Sequence, residues 1–271
     1  MSRMPAGVST ASRSGIITLT TDFGLRDSYL GAVKGVILAI YPGARLVDIA
    51  HQIEPQAVLE AAFILKNSAW YFPHGTVHLA VVDPGVGSGR RLIIVEAKGH
   101  LFVGPDNGLF SLVADGRSRV VRIDHRISLG HPPSATFHGR DILAPIAARL
   151  ARGKSAGDFG RKVKLFKRLS LPQPREIFGV IHGEIIYVDR FGNLVTNVPR
   201  ELLSKGKREP YITIAGSGVS MRGLKDSYYQ GRRNELIALL GSHNFLELAV
   251  KDGSAHKLLG VGRGGKLLIR F

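Results

Sequence analysis

The chain contains no cysteine. Disulfides, zinc–thiolate centres and cysteine nucleophiles are therefore excluded, and a cytoplasmic setting is the expectation. It also lacks any apolar run near the roughly 20 residues that a membrane-spanning helix needs. Residues 1–14 have no apolar core, so they read as a disordered tail and not as a signal peptide. Acidic residues are scarce, 21 against 37 Lys and Arg, which leaves a net charge of +16 over 271 residues. Such a field attracts anions, nucleic acid among them. The cations gather in Arg161–Arg168, in Lys205–Arg208, around Arg232 and Arg233, and near the C terminus. No stacking-aromatic motif or zinc module sits beside these clusters. A solvated basic surface is the reading taken, and a basic nucleic-acid-binding module without catalysis is kept as an alternative.

What is present is a core-forming chain, 44% hydrophobic. Over residues 15–150, short β-like runs alternate with helical patterns, which argues for an α/β layer fold. Ile16–Thr20 reads as a first strand. Asp27–Tyr41 reads as a helix with Leu30, Val33, Ile37 and Ile40 on one face, and Asp27 or Ser28 could cap it. Leu46–Ile49 is a second strand, and Pro55 is expected to open a helix running toward Tyr71. Strands follow near 76–82, 91–97 and 100–103, then a helix over Asp141–Leu150. After about residue 152 the pattern changes. Leu171-Pro172-Gln173-Pro174 reads as a linker, and short β runs with glycine turns follow: Val180–Val188, Leu194–Val198, Tyr211–Ala215, Leu236–Leu240, Phe245–Val250 and Leu267–Phe271. The expected division is a tail over 1–14, an α/β sandwich-like domain with a largely parallel sheet over 15–170, a linker over 171–178, and a smaller antiparallel β-barrel-like domain over 179–271.

The most informative stretch is Val81-Val82-Asp83-Pro84-Gly85-Val86-Gly87-Ser88-Gly89-Arg90. An apolar strand delivers one carboxylate to its C-terminal end, a glycine turn follows, and an arginine returns before the strand Leu92–Val95. A dinucleotide fingerprint requires a helix after such a turn, but a second strand follows here, and no Gly-Lys-Ser/Thr is present for a phosphate loop. An acid and an arginine are left at a strand end, where α/β sheets bind ligands.

Other segments lie in register around this loop: Thr20-Thr21-Asp22-Phe23-Gly24 with Asp27-Ser28, Gly104-Pro105-Asp106-Asn107-Gly108, Phe137-His138-Gly139-Arg140-Asp141, and Asp189-Arg190-Phe191-Gly192-Asn193 with Thr196-Asn197. In this order and spacing, over residues 16–271, the chain resembles the S-adenosylmethionine hydroxide adenosyltransferases, hydrolytic relatives of the fluorinating and chlorinating adenosyl enzymes. The resemblance implies hydrolysis of S-adenosyl-L-methionine to adenosine and L-methionine, without metal or organic cofactor, in a homotrimer whose active sites join the first domain of one subunit to the second domain of its neighbour.

It also implies roles for residues. Asp83, Arg90 and His138 match the family's catalytic trio. Neutral methionine is a good leaving group from a sulfonium, so the difficulty lies in the nucleophile. Arg90 would favour deprotonation of a bound water, with Asp83 and His138 accepting its hydrogen bonds and orienting it in line with C5′. Alone, each would read as a turn former, a surface cation and a loop histidine. The match gives Asp22 to the ribose hydroxyls, and Asp27 and Ser28 to the methionine's charged groups, against a competing helix-cap reading. Asp189 matches a contact to the methionine amino group and Asn193 one to the adenine, with a turn on Gly192-Asn193 as the bland reading. Ser242, Glu247 and Val250 match further substrate contacts.

The halogenating relatives carry Tyr where Asp83 stands, Tyr-Ser where His138-Gly139 stands, and Trp where Gln56 stands. A carboxylate on the halide side argues for water. A second alternative is a metal-dependent hydrolase using Asp22, Asp27, Asp83 and His138 as hard ligands.

Overall fold

The structure, a computed structural model, describes residues 13–124, 132–204, 206 and 208–271. Most of the expected N-terminal tail, residues 1–12, lies outside these, as do Lys205 and Lys207 of the basic cluster. Internal contacts divide the chain into two compact units, Met1–Ser170 and Leu171–Phe271.

The first unit contains β1 (Ile16–Thr21), α1 (Tyr29–Ile40), β2 (Arg45–Ala50), α2 (Val58–Ser68), β3 (Val77–Val81), β4 (Leu92–Ala97), β5 (His100–Pro105), β6 (Arg119–Ile123), α3 (Ala144–Ala151) and β7 (Gly160–Val163). Its seven strands are ordered β2-β1-β3-β5-β4-β6-β7. The first three pairings in that order are parallel and the last three antiparallel. Side chains alternate along each strand, so each face builds its own core. Ile17, Leu79, Leu92 and Ile94 join α1 and α3 in one cluster, while Ala80, Ile93, Val95 and Phe102 join α2 in the other. Burial on both faces explains why β3 to β5 read as continuous apolar runs.

Three helices begin differently from the sequence expectation. α1 starts at Tyr29, two residues late, because bends and a turn occupy Leu25–Ser28. α2 starts at Val58: Gln56 adopts φ 66°, a left-handed conformation that keeps Pro55 outside the helix. The helix expected from Asp141 is first a π-helical turn, Gly139–Leu143, and becomes α-helical at Ala144, with Pro145 in the first turn.

The second unit comprises β8 (Arg175–Ile177), β9 (Val180–Val188), β10 (Leu194–Pro199), α4 (Arg200–Leu203), β11 (Tyr211–Ile214), β12 (Val219–Arg222), β13 (Leu236–Leu240), β14 (Phe245–Val250), α5 (Ala255–Leu259) and β15 (Lys266–Arg270). The strand path is β12-β11-β15-β9-β10-β14-β13, antiparallel throughout, with β8 paired to β9. A parallel bridge from Lys225 to Leu239 links the segment after β12 to β13, so the sheet nearly closes into a barrel around Ile181, Leu194, Ile212, Leu248 and Ile269. No helix among the described residues is long and apolar enough to cross a membrane.

Candidate active site

Parallel pairing sets the geometry of the first unit's site. Thr21 on β1 is in register with Val81 on β3. Asp22 and Asp83 therefore leave the C-terminal ends of adjacent parallel strands, in the crevice where open α/β sheets bind ligands. Asn107 holds the strand end by donating to the Val82 carbonyl at 2.8 Å. Its neighbour Asp106 pairs with Arg91 and accepts from the Lys167 backbone at 2.7 Å, so the Gly104–Gly108 turn is scaffold for the loop. Gly87 (φ 80°) lets the loop fold back: a Cβ there would lie 2.6 Å from the Ala135 carbonyl oxygen.

Folding back brings Arg90 onto Asp83. Nε donates to Oδ1 at 2.5 Å and Nη2 donates to Oδ2, a two-point fork. Both side chains are more than nine-tenths buried. Arg90 also donates from Nη1 and Nη2 to His138 Nδ1, at 3.1 and 3.2 Å. A guanidinium can only donate, so Nδ1 is an acceptor and the ring is neutral with its proton on Nε2. The structure thus brings together Asp83, Arg90 and His138, with the arginine as bridge. His138 sits at the entry of the π-helical turn. Its segment is ordered by buried Asp141, which pairs with Arg140 at 2.6 Å and accepts from the Ser134 backbone at 2.8 Å.

Asp22 accepts from the Gln56 backbone N–H at 2.9 Å. Phe23, Tyr29 and Phe137 form a cluster of tilted and edge-on rings, with centroids 5.4 to 6.0 Å apart, that joins the Asp22 turn to the His138 segment. Asp27 and Ser28 are exposed, and Ser28 makes no side-chain capping bond to α1. The proposed metal set of Asp22, Asp27, Asp83 and His138 does not converge: among the described residues, no group of three or more His, Asp or Glu is placed to hold an ion.

In the second unit, Asp189 is the hub of a turn. Its Oδ1 accepts from the backbones of Phe191 and Asn193 at 2.9 and 2.8 Å, and its Oδ2 accepts from the Asn193 amide at 2.9 Å. Gly192 (φ 83°) packs against Ser254, where a Cβ would meet Oγ at 2.0 Å. Asp189, Phe191, Asn193, Tyr228 and Val250 line a cleft of about 540 Å³. Phe191 presents its ring to solvent, 77% exposed. Glu247, 4% exposed, accepts from the Tyr228 hydroxyl. Burial pushes its carboxyl up, and nearby Asp189 adds to the rise against the opposing Tyr228 bond. Burial, then the bond and charge of Glu247 and, least, Asp189 also push the Tyr228 phenol up. Ser242 lies instead in the exposed turn between β13 and β14.

Comparison with known proteins agrees with this two-part arrangement. Residues 17–160 match the SAM hydroxide adenosyltransferase N-terminal domain, and residues 183–268 match the C-terminal domain of the same name. The chain belongs to the SAM hydroxide adenosyltransferase family. It is 36% identical over 261 residues to the (R)-S-adenosyl-L-methionine hydrolase of Methanocaldococcus jannaschii, covering 91% of this chain and 92% of that protein. The Thermus thermophilus protein of the same name is 36% identical over 253 residues, covering 90% and 95%. A fluorinase from Actinoplanes is 28% identical over 224 residues, covering 72% and 75%. A crystal structure of an uncharacterized conserved protein from Thermotoga maritima superposes with a TM-score of 0.87 at 34% identity, covering 94% of this chain and all of that one.

Within this member of the adenosyltransferase family, sequence reasoning overlooked two cleft residues. Tyr228 lies in a segment without periodic signal, in a short 3₁₀ turn. Phe191 belongs to the Asp189–Asn193 turn motif, and no spacing singles it out. Its exposure marks it, because a large aromatic left in solvent beside a cleft has a face free for a ligand.

Proposed function

We propose that this chain hydrolyses S-adenosyl-L-methionine to adenosine and L-methionine, with the (R) epimer at sulfur as the preferred form, as the names of its hydrolase relatives specify. The observation that carries the reading is the buried bridge of Arg90 between Asp83 and His138.

The reaction displaces a neutral thioether from C5′. Water oxygen forms the new C–O bond, the C5′–S electron pair leaves with sulfur, and one proton is released. Arg90 and the Nε2–H of His138 stabilise negative charge on the attacking oxygen. Asp83 keeps lone pairs beyond the two that Arg90 occupies, and one of these accepts the water's hydrogen. His138 acts as donor here, because Arg90 already fills the lone pair at Nδ1. Asp22 takes the ribose hydroxyls, and Asp27 and Ser28, free of capping duty, take the methionine's charged groups. Adenine occupies the cleft against Phe191 and Tyr228, beside Asn193 and Val250. Asp189, held by three N–H donors, has a lone pair left for the methionine ammonium. Glu247 holds Tyr228, and Ser242 reaches the methionine carboxylate from its turn. The functional assembly is a homotrimer in which one subunit's first unit works with a neighbour's second unit.

The test is direct. Each sulfur epimer is incubated with the protein and a chelator, and the products are separated by chromatography. Adenosine and methionine in equal amounts, formed faster from the (R) epimer, are expected. Homocysteine derivatives or a methylated acceptor would overturn the assignment.

A further inference from the structure

Behind Asp22 runs a second polar array that the chemistry above does not use. β1 and β2 pair in parallel with a break in register: Leu19 pairs with Asp48 and Thr20 with Ala50, so Ile49 is an extra residue. A bulge of this kind re-aims the chain beyond it. Here it precedes His51, which is 5% exposed. His51 Nδ1 lies 2.9 Å from the hydroxyl of Thr21, itself fully buried. Its Nε2 lies 3.1 Å from Asp48 Oδ1, close enough for charge pairing though poorly aligned as a hydrogen bond. Lys34 of α1 donates to the other Asp48 oxygen at 2.7 Å.

Asp48 sets the polarity of this array. Asp48 is held ionised: burial favours its neutral form, but the Lys34 bond and the proximity of Lys34 and His51 outweigh burial and keep its carboxyl below the ordinary value. With Asp48 ionised beside Nε2, a neutral ring carries its proton on Nε2, and Nδ1 then accepts from the Thr21 hydroxyl. The Thr21 oxygen then accepts from the Phe23 backbone N–H at 3.3 Å. His51 also grips the turn through its carbonyl, which accepts from the Gly24 N–H at 2.7 Å. Asp22 lies between the two residues that His51 holds, Thr21 and Gly24.

We infer that His51 is a positioning residue. Through the array Lys34–Asp48–His51–Thr21, it fixes the Asp22 turn so that the carboxylate meets the two vicinal ribose hydroxyls in one preset geometry. The inference rests on the reading of Asp22 as the ribose ligand. Preorganisation of this kind acts on recognition of the diol, not on adenine.

The experiment measures calorimetric affinity of the full chain for adenosine and for 2′,3′-dideoxyadenosine, which lacks the diol. For His51→Ala, adenosine affinity should fall by about tenfold, the size of a lost charge-assisted bond, with dideoxyadenosine affinity changed less than about twofold. Thr21→Val should reproduce this selective loss and Thr21→Ser should restore wild-type affinity, so the pair decides the matter should His51→Ala not fold. Equal loss for both ligands would make His51 mere scaffold and overturn the proposal. Asp22→Asn separates the two levels. A selective loss there but none in His51→Ala sinks the positioning role alone, whereas no selective loss in Asp22→Asn removes the ribose reading itself.

Discussion

His78 Nε2 lies 3.1 Å from His100 Nδ1 within the core of the first unit, and Thr18 closes the other side of the His78 ring at 2.8 Å. His78 is fully buried on β3 and stacks on Phe102 at 4.7 Å between centroids. Burial, with a smaller contribution from His100, lowers its pKa to about 3.

This makes stability depend on pH with a defined sign. An unfolded His78 takes up a proton near the ordinary histidine pKa of about 6.5, while the folded one stays neutral. Stability is therefore full above about 6.5 and falls as pH drops toward 3, by about 2 kcal/mol at pH 5 from this group. Urea unfolding at pH 7 and pH 5 measures the fall. His78→Leu should be less stable at pH 7, because Thr18 and His100 lose a partner, but its slope with pH should be shallower. An unchanged slope would show that His78 is not the source.

The bridge from Arg90 predicts an asymmetry in kinetics. Lysine at this position keeps the charge but cannot fork onto a carboxylate while also reaching an imidazole. Arg90→Lys and Asp83→Asn should each lower kcat by at least about 100-fold with KM changed only a few-fold, since in the proposed reaction both groups act on the attacking oxygen. Steady-state rates on the (R) epimer test this. A rise in KM at constant kcat would make the pair a binding element instead.

Tyr228 and Glu247 give a prediction in the second unit. A raised carboxyl pKa means that ionised Glu247 costs stability as pH rises above its unfolded value, and the Tyr228 hydroxyl offsets part of that cost. Tyr228→Phe should lose about 1–3 kcal/mol at pH 8 and less at about pH 4, below the ordinary carboxyl value, where a carboxyl of raised pKa is protonated. Thermal melts of variant and parent at both pH values give the difference. A deficit independent of pH would mean that the phenol acts through packing.

The legible parts of the fold and site share a cause. β3 and β4 are buried on both faces, so they read as apolar runs, and the glycines between them announce a tight return. Asp83 and Arg90 lie in that one loop, so their proximity follows from seven residues of chain. His138 lies 48 residues from Arg90, and only motif register linked it to them. The rest was hidden for physical reasons. β6 and β7 carry Arg119, Arg122, Arg161 and Lys162 in the antiparallel half of the sheet, so their strand pattern is masked by charge. Gln56 takes a left-handed conformation that its residue type does not advertise. Thr18, Thr21, His51 and His78 are polar groups buried in pairs, and each partner is set by strand register rather than by spacing along the chain.

The identity of the nucleophile follows from the same fork. An Asp83 ester is the rival to direct attack by water, since carboxylates do attack activated carbon. Here both Asp83 oxygens carry a charge-assisted bond from Arg90, which holds the carboxylate in place and draws electron density from it. Direct attack is therefore expected, with inversion at C5′ of a stereospecifically deuterated substrate. A single turnover in heavy-oxygen water should label the adenosine 5′ oxygen completely. An ester hydrolysed at its carbonyl would instead deliver an unlabelled oxygen from Asp83 in the first turnover, and that result would exclude direct attack. The ion pair also leaves no net positive charge to draw in a halide, so molar chloride should yield no 5′-chloroadenosine. Its appearance at a rate comparable to hydrolysis would show that the pocket tolerates an anion beside Asp83.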